Sequence, residues 1–172
     1  MELRRSLNGA LAGAVAAAVW AAQQPFDKLA FRSPYDDVEL LGKFVTRGTG
    51  WPLAGLALHL QNGALFGAVY AQLRPFLPGP PVVRAVTASL AEHVVLWPLG
   101  RLSDRRHPAR AQLAPLTGNR RAFAQSAWRH LVFGLVLGEL ERRLNVEDEF
   151  EPPPVPVSMD GHGDIETAVS AA

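Results

Sequence analysis

The stretch that decides the fold is residues 51–73, which read WPLAGLALHLQNGALFGAVYAQL. It contains no Asp, Glu, Lys or Arg, and apolar side chains occur along its whole length. As an α-helix it would be roughly 35 Å long at about 1.5 Å per residue, enough to cross a hydrocarbon layer of about 30 Å. Because a helix on the surface of a soluble protein repeats charges along one face, this stretch predicts a membrane span.

Three other segments share this apolar character, and proline- and glycine-rich turns such as residues 78–81 separate them. We therefore predict an all-α fold in which residues 1–144 form a four-helix transmembrane bundle. A short amphipathic helix is expected between the first two spans, beginning near Ser33-Pro34. The four predicted spans are residues 7–24, 51–73, 82–99 and 122–140.

The charge distribution separates a tail from this bundle. Residues 145–172 contain no Lys or Arg and combine acidic residues with prolines, so we predict an acidic, Pro-rich disordered tail. Since the net charge of the chain is +1, the remainder is basic, and its charges adjoin the apolar segments. This placement favours a lipid bilayer as partner and argues against nucleic acid. The absence of cysteine excludes disulfides, thiol catalysis and iron–sulfur clusters.

Small residues recur every four positions in two of the predicted spans. Gly9, Gly13 and Ala17 form one such stripe, and Gly134 and Gly138 form another. Small residues let helices approach closely in lipid, so these faces predict association within the chain, with a second copy, or with another membrane protein. The first span also follows Arg4-Arg5 and contains Ala-x-Ala sequences, so a cleaved signal peptide covering residues 1–22 is an alternative.

The four tryptophans fall at one end of the predicted spans when the chain is threaded up and down. Tryptophan prefers the membrane interface, so they are predicted to form one belt of interface anchors. Counting Lys and Arg places the first and third loops in the cytoplasm, whereas Arg4-Arg5 favours the opposite orientation, so orientation stays open. The predicted anchors are Trp20, Trp51, Trp97 and Trp128.

Polar side chains interrupt three of the spans and mark the candidate functional region. Ionisable groups at this depth are costly and face the interior of a bundle or a water-filled cavity. The three histidines are predicted to share one layer, roughly 9–12 Å below the tryptophans, where Glu92 and Arg129 would form an ion pair. The predicted polar cluster comprises His59, Asn62, Glu92, His93, Arg129 and His130.

Several roles for this cluster remain open at the level of sequence. Its members can fix helix register through hydrogen bonds, or they can form a path for protons or a small solute. His59, His93 and His130 also suit a divalent metal or haem, although no HExxH spacing is present. No catalytic residue is predicted, and a soluble helical bundle is the alternative to a membrane protein.

The same residues carry a resemblance to a known family. His59-x2-Asn62 is followed by Phe66 and Tyr70, His93 precedes Pro98, and His130-Leu131-Val132 leads to Glu139-x2-Arg142-Arg143. In these features the last three predicted spans resemble the YagU-like group of small bacterial inner-membrane proteins. The resemblance implies a multi-pass protein of the bacterial inner membrane whose molecular function is unassigned.

Overall fold

The computed structural model of the chain describes residues 3–146, and the regular structure of that range is entirely helical. The predicted all-α class is therefore confirmed for these residues. Most of the predicted tail, residues 147–172, lies outside the described range. Short 3₁₀ turns occupy Arg74–Phe76, Trp97–Leu99 and Arg110–Gln112. The α-helices are α1 (Leu3–Phe31), α2 (Asp37–Val45), α3 (Trp51–Leu73), α4 (Pro81–Leu96), α5 (Gly100–Arg106) and α6 (Arg120–Leu144).

The four long helices correspond to the apolar segments, but α4 ends at Leu96, three residues before the predicted end, and α1 ends later than predicted. Pro25 was expected to end it, whereas the helix continues through Pro25 to Phe31. A proline inside a helix removes one backbone hydrogen bond and bends the axis without necessarily ending the helix. The turn beyond Pro25 is held by the buried side chain of Asp27, described below. The stretch after Pro25 therefore continues the helix and contributes to the interior, whereas the predicted span ended at residue 24.

The short helix predicted between the first two spans is confirmed as α2. The Asp36 carboxylate accepts a hydrogen bond from the Glu39 amide at 2.9 Å, which caps its first turn. Lys43 pairs with Glu39 at 2.6 Å across one turn. The helix lies against α3, where the Cβ position of Gly42 would be 2.0 Å from the Trp51 carbonyl oxygen.

The helices form a row in which α1 is central. It packs between α3 and α6, α4 packs against α6, and α2 packs against α3. Within residues 3–146, α3 and α4 do not pack along their lengths, although the Tyr70 hydroxyl donates to the Pro81 carbonyl at 3.1 Å near one end. The remaining gap between α3 and α4 opens onto α1 and α6.

The glycine stripes make the closest of these helix contacts. A Cβ on Gly13 would lie 2.0 Å from the Gly63 carbonyl oxygen, and one on Gly134 would lie 2.6 Å from the Cα of Val86. No side chain fits at such distances, so glycine is required where α1 meets α3 and where α6 meets α4. Both predicted stripes are thus occupied within one chain, and association with a second chain would need another surface.

One continuous helical run within residues 3–146 is long and apolar enough to cross a membrane by length and composition. It is Pro81–Arg106, with a mean hydropathy of 1.3. The other long helices contain more Gly and Ala together with interior polar residues, which lower their mean hydropathy. The helical bundle is therefore established, whereas its four-span membrane topology remains a proposal.

Candidate functional site

Helices α3, α4 and α6 bring the three predicted histidines close together, and two of the rings lie against Trp20 of α1. The ring centroid of Trp20 lies 5.2 Å from that of His59 on α3 and 4.6 Å from that of His130 on α6. The rings of His93 and His130 are 4.8 Å apart. We call His59, His93 and His130 the histidine layer. The layer arises because α1, α3, α4 and α6 all contribute to the interior at this level.

A serine that the sequence analysis did not single out connects two rings of the histidine layer. Ser126 Oγ lies 3.2 Å from His93 Nδ1 and 3.5 Å from His130 Nδ1. His130 Nδ1 is also 2.8 Å from the Ser126 carbonyl, one turn earlier in α6, and Ser89 Oγ donates to the His130 carbonyl at 2.8 Å. In the sequence, the role of Ser126 is indicated only by its position one helical turn before His130.

Glu92 completes this chain of polar groups, with a partner other than the predicted one. Its Oε2 lies 3.7 Å from His130 Nε2, and its side chain is 37% exposed. Because the Ser126 carbonyl can only accept, the hydrogen on neutral His130 lies on Nδ1, which leaves Nε2 as an acceptor facing the carboxylate. At 3.7 Å the two atoms are within ion-pair distance but too far apart for a hydrogen bond, so a proton bound at His130 Nε2 would form an ion pair with the Glu92 carboxylate.

The predicted Glu92–Arg129 pair was wrong because neighbouring residues on a helix point about 100° apart. His130 faces α4 and Glu92, so Arg129 faces α1 and α2. Arg129 Nε and Nη2 donate to the two carboxylate oxygens of Asp27, each at 2.6 Å, and Nη1 donates to Asp37 at 2.5 Å. We call Arg129, Asp27 and Asp37 the Arg129 cluster.

The Arg129 cluster is buried and well supplied with further hydrogen bonds. Arg129 is 0% exposed and Asp27 is 2% exposed. The Tyr35 carbonyl accepts from Arg129 Nη2 at 3.1 Å, and the Tyr35 ring lies 5.4 Å from the guanidinium carbon. Gln125 donates to Asp27 at 2.6 Å. A fully bonded bidentate pair of this kind can persist in an interior that would exclude an isolated charge.

Asp37 and Tyr35 titrate away from their ordinary ranges because of this cluster. Burial disfavours the Asp37 carboxylate, but Arg129 and the Tyr35 hydroxyl outweigh burial and hold the pKa of Asp37 below its ordinary value. Burial, reinforced by the charge of Asp37, raises the pKa of the Tyr35 hydroxyl well above its ordinary value. The Arg129 cluster thus places two acidic side chains against one guanidinium.

A cavity of about 140 Å³ opens in the gap between α3 and α4, directly beside the histidine layer. Asn62, predicted as a member of the polar cluster, is exposed and lines this cavity. A second, mainly apolar cavity of about 420 Å³ lies on the other side of His130 and reaches His93 and Trp97. His130 lines both cavities. The first cavity is lined by Trp20, His59, Asn62, Phe66, Glu92, His130 and Phe133, together with Ala17 and Gly63.

The predicted interface anchors differ from one another in the structure. Trp20 is only 7% exposed, and its indole nitrogen donates to Asp37 at 3.1 Å, so its assignment as an anchor was wrong. The reason is that α1 does not end at Trp20, which places this ring inside the bundle at the level of the histidines. Trp128 is 43% exposed, while Trp51 and Trp97 are half-buried.

A second buried ion pair lies far from the histidine layer, where α3 ends beside the end of α6. Arg74 Nη1 donates to Glu141 at 2.8 Å, and Nη2 donates to the Asn145 carbonyl at 3.1 Å. The Asn145 side chain donates to Glu141 at 2.8 Å and accepts from Asn8 at 2.8 Å. We call these residues the Arg74 cluster. It ties the ends of α1, α3 and α6 together.

Within residues 3–146 no group of three or more His, Asp or Glu side chains is arranged to hold a metal ion. The assignment of His59, His93 and His130 to a metal or to haem stays a prediction. The chain matches no known family, no curated protein and no solved structure with which it was compared. The resemblance to the YagU-like group likewise stays a prediction. Only the geometry of the chain bears on its function.

Proposed function

We propose that the chain is an integral membrane protein with four spans that handles protons or a small solute through its histidine layer. The observation that carries the membrane part is inverted packing. Many large aliphatic side chains lie outside, while small side chains and several charged ones lie inside. A protein folded in water places these classes the other way round, because burial of apolar area is what stabilises it.

Helix α1 displays the inversion most clearly. Its inward face contains Gly9, Gly13 and Ala17, whereas its outward face consists of large aliphatic residues. In lipid, outward leucine and valine meet hydrocarbon while small inward residues allow close backbone contact. In water, the same surface would be an unusually extended apolar patch. The outward residues and their exposures are Leu7 59%, Leu11 56%, Val15 40% and Val19 38%.

The buried charged residues also favour a lipid environment for the protein. Arg129 and Glu141 are at most 1% exposed, whereas Leu53, Leu65 and Val95 are at least 64% exposed. Ionisable residues in membrane proteins face the interior and form ion pairs. Arg129 does so with Asp27, and Glu141 does so with Arg74. The YagU-like resemblance would place the protein in the inner membrane of a bacterium.

The handling of protons is supported by the chain of groups from Glu92 to His93. Glu92, His130, Ser126 and His93 follow one another with separations of 3.7, 3.5 and 3.2 Å, and each can accept and release a proton or a hydrogen bond. The chain leads from the smaller cavity, at Glu92, to the larger one, at His93. A proton entering one cavity therefore has a route to the other.

The membrane part is tested by cysteine labelling, which the cysteine-free chain makes unambiguous. We expect Val15→Cys, Leu65→Cys and Leu135→Cys to stay in the carbonate-washed membrane fraction and to resist a water-soluble maleimide until detergent is added. Val45→Cys at the end of α2, outside the predicted spans and outside Pro81–Arg106, is 62% exposed and is the matched control that should react directly. Rapid labelling at all four positions, or release of the protein by carbonate, would overturn the proposal.

Proton handling is tested in liposomes that contain the protein and a pH-sensitive dye. We expect proton flux driven by a potassium gradient with valinomycin to exceed that of empty liposomes. His130→Leu should abolish the excess because it removes the central group of the chain. Glu139→Gln, an exposed carboxylate outside the chain, should leave it unchanged. Equal flux in His130→Leu and the unaltered protein would exclude this role.

A further inference from the structure

The smaller cavity presents hydrogen-bond acceptors to any molecule that enters it. The His130 hydrogen lies on Nδ1, so Nε2 and the Glu92 carboxylate both face the cavity side as acceptors. His59 hydrogen-bonds the backbone of Ala17, and because the Ala17 amide is used within α1, its carbonyl is the acceptor. The hydrogen of His59 is therefore on Nδ1, which makes Nε2 a third acceptor.

One of these acceptors is buried and has no partner. His59 is 7% exposed, and its Nε2 makes no hydrogen bond within residues 3–146. An unpaired buried acceptor costs roughly 1–3 kcal/mol, so proteins rarely keep one without a reason. His59 lines the cavity, where a ligand with a hydrogen to donate would supply the missing partner.

Aromatic rings also line the cavity. Trp20, Phe66 and Phe133 line it, with Phe66 and Phe133 in edge-to-face contact at 5.4 Å. The face of an aromatic ring attracts a cation by its quadrupole, most strongly where water is excluded. Among the described residues, no lysine or arginine lines the cavity. Rings and acceptors together favour a positively charged ligand.

The charged residues near the cavity also favour a positively charged ligand. The Arg129 cluster has one more carboxylate than guanidinium, and Trp20 connects Asp37 to the histidine layer through its indole hydrogen bond. Glu92 adds a further acid at the cavity itself. A cation in the cavity would thus compensate negative charge that the chain leaves unbalanced.

We propose that this cavity binds a small protonated amine, such as ammonium or methylammonium. Three acceptors can receive the hydrogens of an ammonium group while the rings surround its alkyl part. A cavity of about 140 Å³ suits a ligand no larger than benzene, which occupies engineered cavities of about 150 Å³. The proposal rests on the proposed function, since it names the solute that the histidine layer would handle.

Binding of ¹³C-methylammonium to the purified protein in detergent, followed by saturation-transfer NMR, tests this directly. We expect saturable binding that weakens by about tenfold or more in Glu92→Gln, because a charge-assisted hydrogen bond is lost. Glu139→Gln should bind as the unaltered protein does. Phe66→Leu, which leaves every acceptor in place, should also weaken binding and covers the case in which Glu92→Gln fails to fold.

Three results would overturn the proposal: no saturable binding, equal binding by Glu92→Gln, or equal binding of methanol, a neutral molecule of similar size. Stoichiometric Zn²⁺ binding that displaces methylammonium would also overturn it by assigning the acceptors to a metal. The binding assay is independent of the labelling and flux experiments. Failure to bind methylammonium with flux intact removes this inference alone, whereas binding without membrane insertion removes the proposed function alone.

Discussion

Arg129 and Arg74 are both buried arginines, yet their surroundings differ in charge. Arg74 meets one carboxylate, that of Glu141, and otherwise a backbone carbonyl. Arg129 meets two carboxylates, those of Asp27 and Asp37. The two sites are roughly 18 Å apart along α6, at about 1.5 Å per residue. A neutral pair at one site and an acidic cluster at the other indicate different roles.

The balanced Arg74 cluster has the properties of a structural tie. Its hydrogen bonds join the ends of α1, α3 and α6, and none of its residues lines the cavity beside the histidine layer. The Arg129 cluster is joined through Trp20 to the histidine layer and its cavity. The surplus carboxylate near the cavity is therefore the feature that substitutions should test.

The largest effect is expected for Arg129→Gln. It leaves Asp27 and Asp37 buried together without a cation, and breaking a buried ion pair costs about 3–5 kcal/mol of unfolding free energy. Thermal unfolding in detergent, followed by circular dichroism, measures the loss. Adding Asp27→Asn should restore part of it, since the two side chains are directly coupled. A smaller loss than in Arg74→Gln would reverse our ranking of the clusters.

A smaller loss, about 2–3 kcal/mol, is expected for Arg74→Gln. Glu141 then keeps the hydrogen bond from the Asn145 side chain, so it is not left entirely unsatisfied. The same unfolding measurement applies. Because this cluster lies away from the cavity, methylammonium binding should stay unchanged in the folded variant, and a loss of binding would contradict the division of roles.

Next in size is Asp37→Asn, at about 1.5–2 kcal/mol, the lower part of the range for a hydrogen bond to a charged group, because the amide oxygen can still accept from Trp20 and Tyr35. Arg129 keeps its bidentate contact with Asp27, so the cation remains paired. Unlike Arg74→Gln, this substitution should weaken methylammonium binding because it removes the surplus negative charge. Stability loss with unchanged binding would show that Asp37 has only a structural role.

Much of this architecture was accessible from the sequence. Apolar segments and small-residue stripes are local patterns, so they predicted the long helices and the glycine contacts of α1 and α6. The histidines also came together, because their depth along each span follows from residue counting. Depth, however, does not give rotation about the helix axis. That is why Glu92 was assigned to Arg129 instead of His130.

The partners of Arg129 could not be predicted for a different reason. Asp27 and Asp37 follow Pro25, and a charged stretch after a proline ordinarily indicates a loop. Their role depends on α1 continuing to Phe31 and on the chain folding back toward α6, which only tertiary contacts determine. The hydrogen bond from Trp20 could not be predicted for the same reason, because its acceptor is Asp37.

Acid should reveal the Arg129 cluster through Asp37. Its folded-state pKa is below the unfolded value, so its contribution to stability is present above the ordinary aspartate pKa of about 3.9 and is lost as pH falls through the folded value. We expect the melting temperature to decline below about pH 4, and to decline less steeply in Asp37→Asn. Parallel pH profiles for the two proteins would place the titrating group elsewhere.

The smallest effect is expected for Glu139→Gln, the control used throughout. Glu139 pairs with Arg142 and Arg143 on the surface of α6, where both arginines are 45% exposed or more. Exposed pairs of this kind contribute little because water and salt screen them. The melting temperature and methylammonium binding should both match the unaltered protein. Glu92→Gln makes the same chemical change at the cavity. A difference in methylammonium binding between the two variants would therefore result from the position of Glu92 and not from the loss of a negative charge as such.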